Sequence, residues 1–131
     1  MKRIIVVLKK EDIPELKQSL EFLYISQLEN IGCKATVVYE YHELLSEFDK
    51  GGVDLVLFAT IRLPASSAQE SYLEGYRIIR EFSEKAKVVV HTVASYDSEI
   101  KKLEIEGVRV VDKRGEFAQL IQAVRETAES I

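Results

Sequence analysis

Residues 51–64 read Gly-Gly-Val-Asp-Leu-Val-Leu-Phe-Ala-Thr-Ile-Arg-Leu-Pro. Gly51 and Gly52 mark a turn, and Val53 to Phe58 form a run rich in β-branched and large apolar residues, too short for a helix. A strand is expected there. Four similar runs flank it: Ile4 to Leu8, Ala35 to Tyr39, Val88 to Thr92 and Val108 to Val111. Three of the five are continuous apolar stretches without polar alternation, as in strands covered on both faces of a parallel sheet.

The stretches between the runs supply the covering helices. Asp12 is expected to cap the first, with Pro14 and Glu15 suited to its opening turn. Ile13, Leu16, Leu20, Leu23, Tyr24, Leu28 and Ile31 recur with a helical period, and Gly32 provides the stop. Phe22 and Ile25 fall beside that stripe and are expected to widen the core face, the alternative being a contact with another chain. Further helices are predicted over Tyr41 to Phe48, Tyr72 to Lys85, Ser98 to Glu106 and Gly115 to Ser130. In the last, Phe117, Leu120, Ile121 and Val124 share a face. Five βα units with right-handed crossovers wind into an open sheet whose ligand crevice lies at the carboxyl ends of the strands.

Composition bounds the function. With 131 residues, 47% hydrophobic, and a net charge of −4, the chain fits one compact domain and excludes disorder. The basic excess on which phosphate-backbone binding relies is lacking, so no direct nucleic-acid partner is expected. Cys33 is the single cysteine and cannot form an internal disulfide. The start, Met1-Lys2-Arg3, leads into five apolar residues, too few for a signal-peptide core or a membrane span, and a cytoplasmic protein is expected.

The pieces RIIVVLKKED (3–12), GGVDLVLFATIRLP (51–64), EGYRIIREF (74–82), KVVVHTVAS (87–95) and EGVRVVDKRGEF (106–117) together resemble the receiver domain of two-component response regulators. The likeness spans nearly the whole chain. It implies a flavodoxin-like (CheY-like), doubly wound, five-stranded parallel sheet with strand order 2-1-3-4-5. Working receivers carry an acidic pair after strand one for Mg²⁺ and a phospho-accepting Asp ending strand three. A Thr or Ser ends strand four, and a Lys ends strand five.

Here Leu8 and Lys9 stand where the metal-binding acids belong. The acceptor position falls on Ala59 when counted from Gly51-Gly52 and on Thr60 when counted back from Pro64. Neither is a carboxylate, so aspartyl phosphorylation is not expected at that place. Thr92 and Lys113 match the family hydroxyl and lysine. Arg114 replaces the proline that usually follows, and Val110 replaces the switch aromatic. Residues 65–74, ASSAQESYLE, lengthen the loop before Gly75, with Ser66, Ser67 and Tyr72 as points of modification or contact. The resemblance therefore implies an atypical, pseudo-receiver scaffold.

Lys9 and Lys113 at one sheet edge suggest a crevice of inverted charge open to a small anion; otherwise they pair with Glu11, Asp12 or Asp112, or reach into water. His91 is expected to pack, His42 to lie at the surface, and Cys33 to be inert beneath the sheet edge. No metal site is expected. No cofactor is expected either, because LKKEDIP (8–14) has none of the Gly, Ser or Thr of a phosphate loop. Tyr39 and Tyr41 flank an expected edge strand and are candidates for partner contacts.

The reading is a non-enzymatic, non-phosphorylatable signalling or transcriptional-control module. It acts through a protein partner or as a homodimer, with no membrane role. By family resemblance its interaction face would use Lys101, Lys102, Arg109, Glu116 and Gln119. The alternative is a small-molecule or anion sensor taking phosphate-type ligands at the sheet edge.

Overall fold

A computed structural model of the chain describes residues 1–61, 68–95 and 97–130, and over 68–73 the backbone alone. Among these residues strands and helices alternate. They run β1 (Lys2–Val7), α1 (Pro14–Asn30), β2 (Cys33–Val38), α2 (Tyr41–Asp49), β3 (Leu55–Phe58), α3 (Ala68–Ser83), β4 (Lys87–Thr92), α4 (Ser98–Ile105), β5 (Arg109–Asp112) and α5 (Phe117–Glu129). The strands pair in parallel in the order β2-β1-β3-β4-β5, as the resemblance implies.

The unbroken apolar runs follow from this order. β1, β3 and β4 lie inside the sheet, so both their faces are covered. Ile5, Val7, Val56, Phe58 and Val90 pack with Leu44, Ile79, Phe82, Ile100 and Leu103 from α2, α3 and α4. Ile4, Val6, Leu55, Leu57 and Val89 pack on the other side with Tyr24, Leu28, Leu120 and Val124 from α1 and α5. Gly32 stops α1 with φ at 82°, a left-handed conformation that only glycine adopts at no steric cost.

Three expectations are corrected. Ile13, not Asp12, is the N-cap residue of α1; no side chain caps that end, and Pro14 takes the first helical position, where its missing N–H costs nothing. Phe22 is 75% exposed and does not widen the core, while Ile25 is half-buried. At 100° per residue Phe22 sits about 200° from Tyr24, on the opposite side of the helix from the sheet. Ile13, Leu16 and Leu23 are exposed too, so Tyr24 and Leu28 carry the buried face. Phe22→Ser should shift the unfolding free energy by less than about 0.5 kcal/mol, against about 3 kcal/mol for Leu28→Ala, in parallel urea titrations.

The third correction concerns residues 65–74. Helix α3 begins at Ala68 rather than Tyr72, so part of the expected loop is helical, in keeping with the good helix formers Ala68, Gln69 and Glu70. Ser66, Ser67 and the Tyr72 side chain lie outside the described residues. Tyr39 and Tyr41 are engaged within the chain: the Tyr39 hydroxyl donates to Glu21, Lys17 lies 4.9 Å from the Tyr39 ring centroid, and the Tyr41 hydroxyl is 2.9 Å from Glu81.

Candidate functional site

Register assembles the carboxyl edge. Val7 pairs with Phe58, Phe58 with Val90, and Val90 with Val110, which forms the last full rung. One residue further come Leu8, Ala59, His91 and Val111, with the Ala59 N–H donating to the Val7 carbonyl at 2.9 Å. Thr92, paired with Asp112, tops β4. Ala59 thus extends the β3 ladder and Thr60 follows it, both buried.

The resulting crevice, about 240 Å³, is lined by Lys9, Ala59, Thr60, His91, Thr92 and Lys113, with Ile61, Val93 and Ala94 at its margin. Five of the six residues matched to the receiver pocket therefore meet. The sixth, Leu8, is buried in the α1–α5 layer below. Among the described residues no carboxylate lines the crevice.

Lys113 organises the floor. Its backbone N–H donates to the Thr92 carbonyl at 3.0 Å, and its Nζ turns in to donate to the Ala59 carbonyl at 2.5 Å. Burial and the nearby charge of Lys9 lower its pKa, with Glu11 opposing more weakly. Among the described residues no carboxylate lies within 4 Å of either ammonium. The pairing of these lysines with Glu11, Asp12 or Asp112 is therefore not what the structure shows. Asp112 is held by Arg114 instead, through the backbone N–H at 2.8 Å and guanidinium contacts of 2.6 and 3.0 Å, with the Ser95 hydroxyl at 2.8 Å. These bonds drop its pKa well below the usual carboxylate range.

His91 does pack, as expected, but it is not inert packing. It is 5% exposed, and its Nδ1 lies 2.8 Å from the hydroxyl of Tyr24, reached from α1 across 67 positions of sequence. Tyr24, His91 and Phe117 form an edge-to-face cluster with centroids 5.2 to 5.9 Å apart. Burial pushes the His91 pKa down to about 4, assisted by Lys113, so the ring is neutral at pH 7. Burial raises that of Tyr24. Sequence reading missed Tyr24 as a site residue; the only trace was a tyrosine in an otherwise aliphatic stripe. His42 is exposed beside Glu40, and burial raises the thiol pKa of Cys33.

The interaction-face residues divide. Arg109 and Gln119 line a groove of about 500 Å³ between β5 and α5, where Arg109 pairs with Glu126 at 3.0 Å. Glu116 is the N-cap residue of α5. Lys101 and Lys102 are exposed on α4 and pair with Glu104 and Glu99 on their own helix.

The architecture defined by this order, with its crevice at the strand ends, is that of response-regulator receiver domains. A chain of the complex between histidine kinase ThkA and response regulator TrrA superimposes with a TM-score of 0.67 at 27% identity, covering 99% of this chain and 100% of that one. TrrA from Thermotoga maritima, in complex with Mg²⁺-BeF, gives 0.65 at 27% identity over 97% and 99% of the two chains. The N-terminal signal receiver domain of a two-component response regulator from Bacteroides fragilis gives 0.70 at 17% identity over 100% and 99%. No protein-family profile matches the sequence, and no curated protein does. Among the described residues no helix is long and apolar enough to cross a membrane.

The Mg²⁺ seen with TrrA does not suit this crevice. A hard cation needs carboxylate and carbonyl oxygens in near-octahedral array, whereas the described lining residues include two lysines and no carboxylate.

Proposed function

We propose that the chain is a receiver-type signalling module that works without aspartyl phosphorylation, has no catalytic role, and acts through contact with another protein or a second copy. One observation carries this reading. Where a phosphorylated receiver needs an Asp backed by a cation, Ala59 and Thr60 stand beside Lys9, and the Lys113 ammonium is committed to a main-chain carbonyl. Among the described lining residues no carboxylate stands by to activate a threonine hydroxyl as a nucleophile. His91 is neutral but already joined through Nδ1 to Tyr24.

Val110 supports the same reading. It is half-buried against the α2–α3–α4 layer, and a short β-branched side chain has no ring to swing inward as a report of phosphorylation. A protein partner is supported by the complex of TrrA with a histidine kinase. The α4–β5–α5 face supports it too, since Ile105 is 86% exposed beside Lys101 and Lys102. Sequence periodicity alone does not single out Ile105.

Incubation with acetyl phosphate and Mg²⁺, read by intact mass, should give no phosphoryl adduct, and calorimetric titration with Mg²⁺ should give no saturable heat. A base-labile acyl phosphate would overturn the proposal. Sedimentation with and without partner extract fractions then tells a self-associating module from one that needs another protein.

A further inference from the structure

Strand β2 forms one edge of the sheet, and the alternation of its hydrogen bonds shows which backbone groups it leaves over. The Leu8 N–H donates to the Val38 carbonyl at 3.0 Å, so Val38, Thr36 and Lys34 turn their N–H and C=O groups inward to β1. Cys33, Ala35 and Val37 turn theirs outward, and among the described residues nothing bonds to them. At the next outward position the Glu43 carboxylate accepts from the Tyr39 N–H at 3.1 Å and closes the edge. β5, the opposite edge, is four residues long and carries Arg109 and Asp112 at its ends, whereas the six residues of β2 include a single charge, Lys34. Of the two edges, β2 is the less guarded against strand addition.

The side chains of β2 fit a second copy of themselves. In antiparallel pairing about a two-fold axis at Ala35, Ala35 faces its own copy, Cys33 faces Val37, and Ile31 faces Tyr39. All five lie on the α1–α5 side of the strand, where Ile31, Ala35, Val37 and Tyr39 are only partly covered. On the other side Lys34 faces Thr36, so no like charges oppose one another. This register is the one that pairs all three outward residues among themselves. A shift that moves the axis to Lys34 would set that lysine against its own copy.

Helix α1, which packs on β2, supplies an independent observation. Tyr24 looks toward the sheet interior, bonded to His91 and in ring contact with Phe117, whereas Glu21 accepts from the Tyr39 hydroxyl at the exit of β2. Turning about the helix from Tyr24 past Glu21 therefore leads toward the free edge. That turn meets Ile25 at about 100° and Phe22 at about 160°. Phe22, among the most exposed large apolar residues of the chain, thus stands on the edge side of α1, where a paired copy would bring its own α1 alongside.

We infer that the β2 edge is a self-association surface: two copies join β2 to β2 antiparallel about Ala35, making one continuous sheet, with Ile25 and Phe22 of the two α1 helices meeting above the seam. Such a contact is isologous, so it closes as a dimer and leaves no further β2 edge to extend. Its small extent places it in the micromolar to millimolar range of affinity, so dilute solutions hold the monomer. The inference rests on the reading above in that it gives the second-copy arm of that reading its surface.

The test is sedimentation velocity of the full chain from micromolar to millimolar concentration, with circular dichroism to verify the fold of each variant. A concentration-dependent monomer–dimer equilibrium is expected. Thr36→Lys, which sets two lysines opposite one another on both sides of the axis, should weaken the dimer at least fivefold. Thr36→Glu should tighten it about threefold, and Lys34→Glu combined with Thr36→Lys should restore it. Ala35→Pro removes an outward N–H that bonds nothing within the chain, and should abolish the dimer. Phe22→Ser, at an exposed position, should weaken association about threefold, which keeps the test sound should Ala35→Pro not fold. A monomer at every concentration overturns the inference, even if the edge then proves to take a strand from another protein. A dimer indifferent to both Thr36 substitutions and to Phe22→Ser overturns it as well. Neither result touches the non-phosphorylated reading, which fails on an acetyl phosphate adduct alone.

Discussion

Gly75→Ala should destabilise the protein by about 2 kcal/mol, although the same change at most mid-helix positions stabilises by about 1 kcal/mol. Gly75 lies inside α3, where alanine has the better helix propensity. A methyl group on it would stand 1.8 Å from the carbonyl oxygen of Ile61 and 2.8 Å from its carbonyl carbon. Both are backbone atoms, so no side-chain rotation relieves the clash, and either α3 or the chain after β3 must move. Ile61 is buried and borders the crevice, which ties the helix position to the site. The gain in propensity offsets only part of an overpacking cost of about 3 kcal/mol. For a chain of this length the net loss corresponds to a drop in Tm on the order of 6–10 °C. Thermal unfolding of the two proteins side by side decides it, and a rise in Tm for Gly75→Ala would contradict the close approach of α3 to Ile61.

Acid should weaken the fold through His91 before most carboxylates titrate. Its pKa is about 4 in the folded chain against 6.5 for a free imidazole. The fold therefore holds the neutral ring, and the unfolded chain binds a proton that the folded chain refuses. Stability from this source is fully present above about pH 6.5, is lost as pH falls toward 4, and changes no further below that. At about 1.4 kcal/mol per pH unit the full gap is about 3.5 kcal/mol. The titration is incomplete at pH 4.5 and His91 lines an open crevice, which brings the expected loss there to about 2 kcal/mol. His91→Phe, which keeps a ring but cannot charge, should be less stable at pH 7 because the Tyr24 hydroxyl loses its acceptor. Between pH 7 and 4.5, however, its urea midpoint should decline less than that of the unaltered protein. Equal declines for the two would show that folding does not lower the His91 pKa.

The strands were legible because burial on both faces writes itself as unbroken apolar runs. Val53–Phe58 and Val88–Thr92 fall on β3 and β4 within two residues. Four of the five helices began within two residues of the expected start, since Pro14, Glu40-Tyr41, Asp97-Ser98 and Gly115 are local signals. α3 was the exception, because residues 65–70 are small and polar in composition while part of them is helical in conformation. α1 was located correctly and oriented poorly. Its apolar residues spread wider than the buried face, so periodicity placed Tyr24 and Leu28 in the stripe but could not show that Ile13, Leu16 and Leu23 in the same stripe, and Phe22 beside it, stay exposed.

For the site, the matched positions Lys9, Ala59, Thr60, Thr92 and Lys113 were readable one by one, as ends of strands. Their partners were not. That Lys113 would donate to Ala59, 54 positions away, and Asp112 close on Arg114 rather than on a lysine, depends on side-chain rotamers set by packing. Tyr24 and His91 show this most plainly. Each is explained locally as a core residue, and only the stacking of α1 on the sheet puts a phenol against an imidazole.

By itself, then, the amino-acid order determined a right-handed, doubly wound parallel sheet and the identity of Ala59 and Thr60 after its third strand, because hydrophobic period and residue identity are properties of the chain read in line. Tertiary structure alone decided which nitrogen of His91 meets the Tyr24 hydroxyl, which group holds Asp112, and how closely α3 may approach Ile61. Those outcomes turn on distances of a few ångströms between groups far apart in sequence, and electrostatic and steric energies change steeply over that range.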